Sequence, residues 1–214
     1  MGLRVGVIDT AAAGLAPLLL HDLREARPDL KVQLLEDKTV RLLPRLLSGT
    51  LDLALVRPPE RPDRRLEVLP LFHETAVVAL PTSHRLAARR HVTIDALLSE
   101  PLIVPDRRSR PHSYDLTFKL FEEAGARPVI AQVAEEKQTI VSLVAADLGA
   151  AIVPRWASRF AVRGVRYVPL RTRAPDALGI LPLAAAWVRS TRDPSREAVL
   201  EVLLRHLHRY AAQA

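Results

Sequence analysis

The sequence predicts an α/β fold of two Rossmann-like lobes with a central cleft, and three observations carry that reading. Short apolar runs alternate with stretches whose apolar residues recur at helical spacing, the order that builds a mostly parallel sheet through right-handed crossovers. This strand–helix order occurs twice, before and after a composition break at Pro81-Thr82-Ser83-His84. The chain has 214 residues, 49% of them hydrophobic, which can fill two cores and excludes disorder.

In the first lobe Leu3, Val5, Val7 and Ile8 read as a strand ending at Asp9-Thr10. Ala11–Gly14 reads as a small-residue turn before a helix from about Leu15 to Arg27. Pro17 fits only in that helix's first turn, which has no intrahelical use for its missing N–H. Leu18, Leu19, Leu23 and Ala26 form the apolar stripe, and Pro28-Asp29 stops it. Val32–Leu35 is the second strand. Thr39 is the candidate N-cap of a helix carrying Leu42, Leu43, Leu46 and Leu47, with Pro44 to be absorbed by a late start or a kink. Asp52–Val56 is the third strand, followed by Arg57. After a Pro/Arg loop, Leu66–Leu71 and Thr75–Leu80 read as two more strands.

The second lobe opens with a short helix, Ile94–Leu98, capped by Thr93. A strand at Leu102–Val104 leads into the loop from Pro105 to Ser113, and a helix spans Tyr114–Glu123. The central stretch, Val133–Pro154, reads as strand, turn, helix, turn, strand. Glu135 and Glu136 place acid where a helix N-terminus favours it, and Ile140, Val141, Leu143, Val144 and Leu148 recur at helical spacing. Gly149 supplies the positive φ of a helix end, and Ala150–Val153 is a short strand. Arg166–Leu170 and Ala184–Val188 are the last strands, and Ser195–Tyr210 is an amphipathic helix.

Composition excludes several classes of function. Without cysteine there is no disulfide framework, no thiol nucleophile and no cysteine metal site. The apolar runs are too short to span a membrane and no signal peptide is present, which points to the cytoplasm. No G-x-S-x-G, Walker A, G-x-G-x-x-G or H-E-x-x-H pattern occurs, and His206 and His208 face different directions on a helix. We therefore expect no enzyme, no cofactor and no metal. The formal charge is +7, but the arginines are spread along the chain and interrupted by acids, unlike a nucleic-acid face. Residues 79–188 carry 15 basic against 10 acidic residues, hence +5 of that excess, which favours an anionic ligand.

In order along the chain stand Leu3-Arg-Val-Gly-Val-Ile, Leu46-x-x-Gly49-x-Leu51-Asp52-Leu53-Ala54-Leu55 before Arg57, and Phe72-x-Glu-Thr-x-Val-Val-Ala. Ser83-His84-Arg85-Leu86-Ala87, Leu102-Ile-Val-Pro105 and Gln138-x-x-x-x-Leu143-Val144-Ala145-Ala146-x-x-Gly149-x-x-Ile152-Val153-Pro154 follow. Their ordered spacing resembles the effector-binding domain of LysR-type transcriptional regulators over essentially the whole chain. The resemblance implies the periplasmic-binding-protein type II-like architecture. Subdomain I would comprise residues 1–78 with 189–214, and subdomain II residues 79–188. It also implies a homodimer, a tetramer in the full-length protein, and DNA contact only through an N-terminal helix-turn-helix domain that would precede Leu3. A solute-binding protein of a transport system is the alternative on the same architecture.

In open α/β sheets ligands sit beyond the carboxyl ends of strands, where helix N-termini offer free N–H groups. Thr10 and Thr39 follow the first two strands and Arg57 the third; Arg110, His112 and Ser113 follow Leu102–Val104, and Glu136 opens the central helix. Hydroxyls, arginines and backbone N–H groups suit a carboxylate, and the resemblance implies effector contact in the two threonine loops. Each threonine could instead be a plain helix cap, Arg57 a surface residue, and the basic loop simply solvated. The expectation is a small carboxylate effector bound between the lobes, shifting their equilibrium and so the oligomer geometry.

Overall fold

The computed structural model describes residues 2–172 and 180–214. In chain order the elements are β1 (Leu3–Val7), α1 (Asp9–Ala26), β2 (Val32–Glu36), α2 (Thr39–Leu47), β3 (Leu53–Val56), β4 (Leu66–Pro81), β5 (Val92–Thr93), β6 (Pro101–Pro105) and α3 (Pro111–Glu123). They continue with β7 (Val129–Ala134), α4 (Lys137–Ala145), β8 (Ala151–Pro154), β9 (Val165–Arg171), β10 (Ile180–Val188), α5 (Pro194–Arg205) and α6 (Leu207–Ala211). Two compact units result, Met1–His73 with Pro182–Ala214, and Glu74–Leu181. Sequence set the divisions at 78/79 and 188/189; by packing they fall inside β4 and β10. The break at Pro81 marks where a strand ends, not where the packing partner changes.

In the first unit β1 lies parallel to both β2 and β3, with Val5 opposite Leu34 and Leu53, and β10 runs antiparallel beside β3. Leu15, Leu19 and Leu23 on α1 are buried, as are Leu42 and Leu46 on α2 and all of β3. α1 begins at Asp9, so the expected Ala11–Gly14 turn is helix and Pro17 lies inside it. Three consecutive alanines carry the best helix propensity, which outweighs the single glycine that suggested a turn. The far end of α1 is tied to α6, where Tyr210 and Arg209 both donate to the buried Asp22 carboxylate. Burial alone would raise the Asp22 pKa; the bonds from Tyr210 and Arg209 overcome it and leave the carboxyl below its usual value.

In the second unit β4 lies between β8 and β9, antiparallel to both, and β6 pairs parallel with β7. Alternate β4 residues feed two cores. Val78 and Leu80 pack with Leu102, Val104, Leu120 and Phe121, whereas Val77 and Ala79 pack with Ile103, Ile140, Val144 and Val153. The period of two along β4 thus gives α3 and α4 opposite faces to cover.

Several local expectations are corrected. Leu66–Leu71 and Thr75–Leu80 are one strand, β4, and the Ile94–Leu98 helix is a single 3-10 turn at Asp95–Leu97 with Thr93 in β5. α4 stops at Ala145, Asp147 takes the left-handed turn at φ 61°, and Leu148 is left 52% exposed. The Ser195–Tyr210 helix divides at His206 into α5 and α6.

Candidate functional site

Because β1, β2 and β3 are parallel, their carboxyl ends share one edge of the first unit, and three of the expected residues meet there. Arg57, only 5% exposed, donates from Nη2 to the Thr10 hydroxyl at 3.3 Å and from Nη1 to the Pro182 carbonyl at 3.0 Å. Its backbone N–H donates to the Thr39 hydroxyl at 3.2 Å. Arg57 is therefore no surface arginine; it latches two helix starts and the beginning of the returning strand. Neither threonine is a helix cap. Thr10 lies in the first turn of α1 behind Ile8, with Asp9 accepting its backbone N–H, and Thr39 is the first residue of α2 behind Lys38. Each hydroxyl accepts from Arg57, which directs its own proton elsewhere. Thr39 is half-exposed, whereas Thr10 is fully buried.

The second unit repeats the arrangement with β6 and β7. Arg110, at the cap of α3, is 9% exposed. Its Nε donates to the Glu135 carbonyl at 2.6 Å and its Nη2 to the Glu136 carboxylate at 2.9 Å, joining the loop after β6 to the loop after β7. Arg107 turns away, bonded to Asp115 at 3.0 Å and stacked over Tyr114. His112 and Ser113 were expected in a loop but occupy the first turn of α3, because Pro111 starts that helix earlier than Tyr114. A proline favours such a start, having no N–H to lose. Ser113 is buried, its carbonyl accepting from the Thr117 hydroxyl, and His112 is half-buried.

Sequence reasoning missed two buried lysines at helix starts, Lys38 (5% exposed) before α2 and Lys137 (4% exposed) opening α4. The available signal was electrostatic. A lysine at a helix N-terminus opposes the macrodipole, and one stands at the start of α2 and another at the start of α4; their burial comes only with packing. A cavity of about 260 Å³ lined by Thr93, Ile94, Leu120 and Glu123 lies at the opposite end of α3 from Arg110 and shares none of these residues. Among the described residues no cluster of His, Asp or Glu could hold a metal ion.

Polar groups thus gather at the carboxyl ends of parallel strands in each unit. The model of the LysR substrate binding domain matches residues 2–208. The chain belongs to the LysR substrate-binding domain family. Among LysR relatives, it is 57% identical over 212 residues to the HTH-type transcriptional regulator TtuA of Agrobacterium vitis, covering 99% of this chain and 70% of that protein. It is 30% identical to AlsR of Bacillus subtilis, an HTH-type transcriptional regulator, over 92% of this chain and 62% of AlsR. Solved LysR-type domains share the fold. The BenM effector binding domain with its effector benzoate superposes with a TM-score of 0.81 at 24% identity, covering 100% of this chain and 94% of that one. The effector binding domain of QuiR in complex with shikimate gives 0.81 at 22% identity over 98% of each chain. These likenesses show the periplasmic-binding-protein type II-like fold and the effector-sensing role of a transcriptional regulator's domain, and favour that role over solute transport.

Proposed function

We propose that this LysR-type domain senses a small carboxylate metabolite through the groups at the strand carboxyl ends, acts in the cytoplasm without catalysis, and passes the signal on as a change of oligomer geometry. The observation that supports the reading most is the burial of a guanidinium at the strand ends of each unit, Arg57 and Arg110, against hydroxyl, carbonyl and carboxylate oxygens that a ligand anion can replace. BenM is solved with benzoate and QuiR with shikimate, both organic acids. No helix among the described residues is long and apolar enough to cross a membrane. DNA contact would come from a helix-turn-helix domain such as the relatives' names carry.

The test is a thermal-shift screen of carboxylates, aromatic acids and amino acids. A true effector raises the melting temperature in proportion to the logarithm of its concentration once above its Kd. Thr39→Val then weakens binding about tenfold by removing one hydroxyl donor to a charged acceptor, beyond the roughly 1 kcal/mol that the free domain loses because the Arg57 N–H gives up its acceptor. Stabilisation by neutral or cationic compounds alone, with no response to any carboxylate, defeats the reading.

The second half of the reading, a homodimer within a full-length tetramer, draws support from apolar surface left uncovered. Val129, Ile130 and Val133 on β7 are 50%, 38% and 50% exposed, and Leu18 and Leu20 on α1 are half-buried. Exposed apolar edge strands invite pairing, and a second copy placing its α1 against this β7 would cover both. Sedimentation at micromolar concentration should show a dimer, and Val133→Lys should shift it towards monomer. A single species of 23.7 kDa counts against the proposal.

A further inference from the structure

Glu136 does not do what its position asks of it. It stands immediately before α4, where the helix macrodipole favours a negative charge turned towards the first N–H groups. No side-chain bond caps α4, and the Glu136 Oε2 accepts instead from Arg110 Nη2 at 2.9 Å. The pair is lopsided: the Arg110 side chain is 8% exposed and that of Glu136 54%. A largely hydrated carboxylate is thus laid over a cation sunk in the protein. Arg110 is held independently from the other side, with Nε on the Glu135 carbonyl and its backbone N–H on the Asp106 carbonyl at 2.9 Å. Its position survives the departure of Glu136.

Resting on the reading that Arg110 receives a ligand's carboxylate, we propose that Glu136 is a specificity-determining residue, an internal carboxylate that the effector's own anionic group displaces from Arg110. Leaving a buried guanidinium without a counter-charge is expensive, so the ligand-free domain keeps one of its own there. The exchange is favourable for an anion because a free carboxylate can meet a guanidinium through both oxygens, and the released Glu136 returns to water. A neutral ligand offers no replacement and does not open the pair. If Glu136 holds Arg110 about nine-tenths of the time, the apparent affinity for a competing anion is reduced about tenfold.

The test compares the wild-type domain with Glu136→Gln, which keeps an acceptor of the same shape but removes the charge. Glu122→Gln, an exposed acid near the C-terminal end of α3, serves as a charge-matched control. Sodium benzoate, sodium succinate and inorganic phosphate are titrated by calorimetry and thermal shift at physiological ionic strength, where long-range charge effects are screened beyond about 8 Å. At least one of these anions should bind Glu136→Gln about tenfold more tightly than wild type, with Glu122→Gln unchanged. Equal affinity in wild type and Glu136→Gln, equal gains in both variants, or no anion binding to Glu136→Gln each overturns the exchange. Arg110→Gln and the milder Arg110→Lys separate the two layers. Anion binding lost in the Arg110 variants yet indifferent to Glu136→Gln sinks the exchange and spares the site. Binding indifferent to both positions sinks the site reading as well.

Discussion

Gly149→Val should destabilise the second unit by about 3 kcal/mol or more, combining backbone strain with overpacking. A Cβ at this position would sit 2.6 Å from the Pro101 carbonyl oxygen and 3.2 Å from its carbon. Those atoms are backbone and cannot rotate away. The φ of +149° lies where side chains of L-residues are strained in any case. The close approach exists because Ala150 N–H donates to the Pro101 carbonyl and Ile103 N–H to the Ala150 carbonyl, both at 2.8 Å, stitching β6 to the start of β8. Losing that stitch displaces the strand whose carboxyl end leads to Arg110, so ligand response should fall together with stability. Gly149→Ala meets the same carbonyl and should move in the same direction by less. Denaturant midpoints of both variants check this, and a near-neutral Gly149→Ala would show that Pro101 yields.

Arg57→Met should lower stability by about 2–3 kcal/mol, since it deletes two side-chain bonds from a buried charged donor. Methionine has similar reach but no donors, leaving the Thr10 hydroxyl and Pro182 carbonyl without this partner. Carboxylate response should disappear with it. Thr10→Val is the informative companion. Read as a ligand donor only, Thr10 could become valine with little loss of stability. As the acceptor for a buried guanidinium it cannot, and about 1–3 kcal/mol of stability should go. Because the two residues touch, the double variant should cost clearly less than the sum. Strict additivity in denaturant unfolding would show that the 3.3 Å contact carries no energy.

Periodicity and punctuation made the architecture legible. Alternating strands and helices, the Leu-rich stripes and the family wording located β1, β2, β3, β6 and β7 and the helices between them, because burying one face of each element imposes a local pattern. Boundaries were less legible where a local signal has two meanings. Ala11–Gly14 is small like a turn but alanine-rich like a helix, and Leu148 continues the helical spacing past a helix that has already ended at Ala145.

Strand order alone placed Thr10, Thr39, Arg57, Arg110 and Glu136 at strand carboxyl ends, since residues that follow parallel strands must gather on one edge. What each of them bonds to was decided only by tertiary structure. That Thr10 and Thr39 accept from Arg57 rather than cap α1 and α2 depends on residues 47 and 18 positions apart in sequence. The Arg110–Glu136 pair spans 26 positions. Burial of Lys38 and Lys137 likewise comes from packing around them, and no sequence pattern encodes a neighbour that arrives from another part of the chain. Local patterns fix which face of an element is covered. Which oxygen a buried cation finds there is fixed only when the chain closes around it.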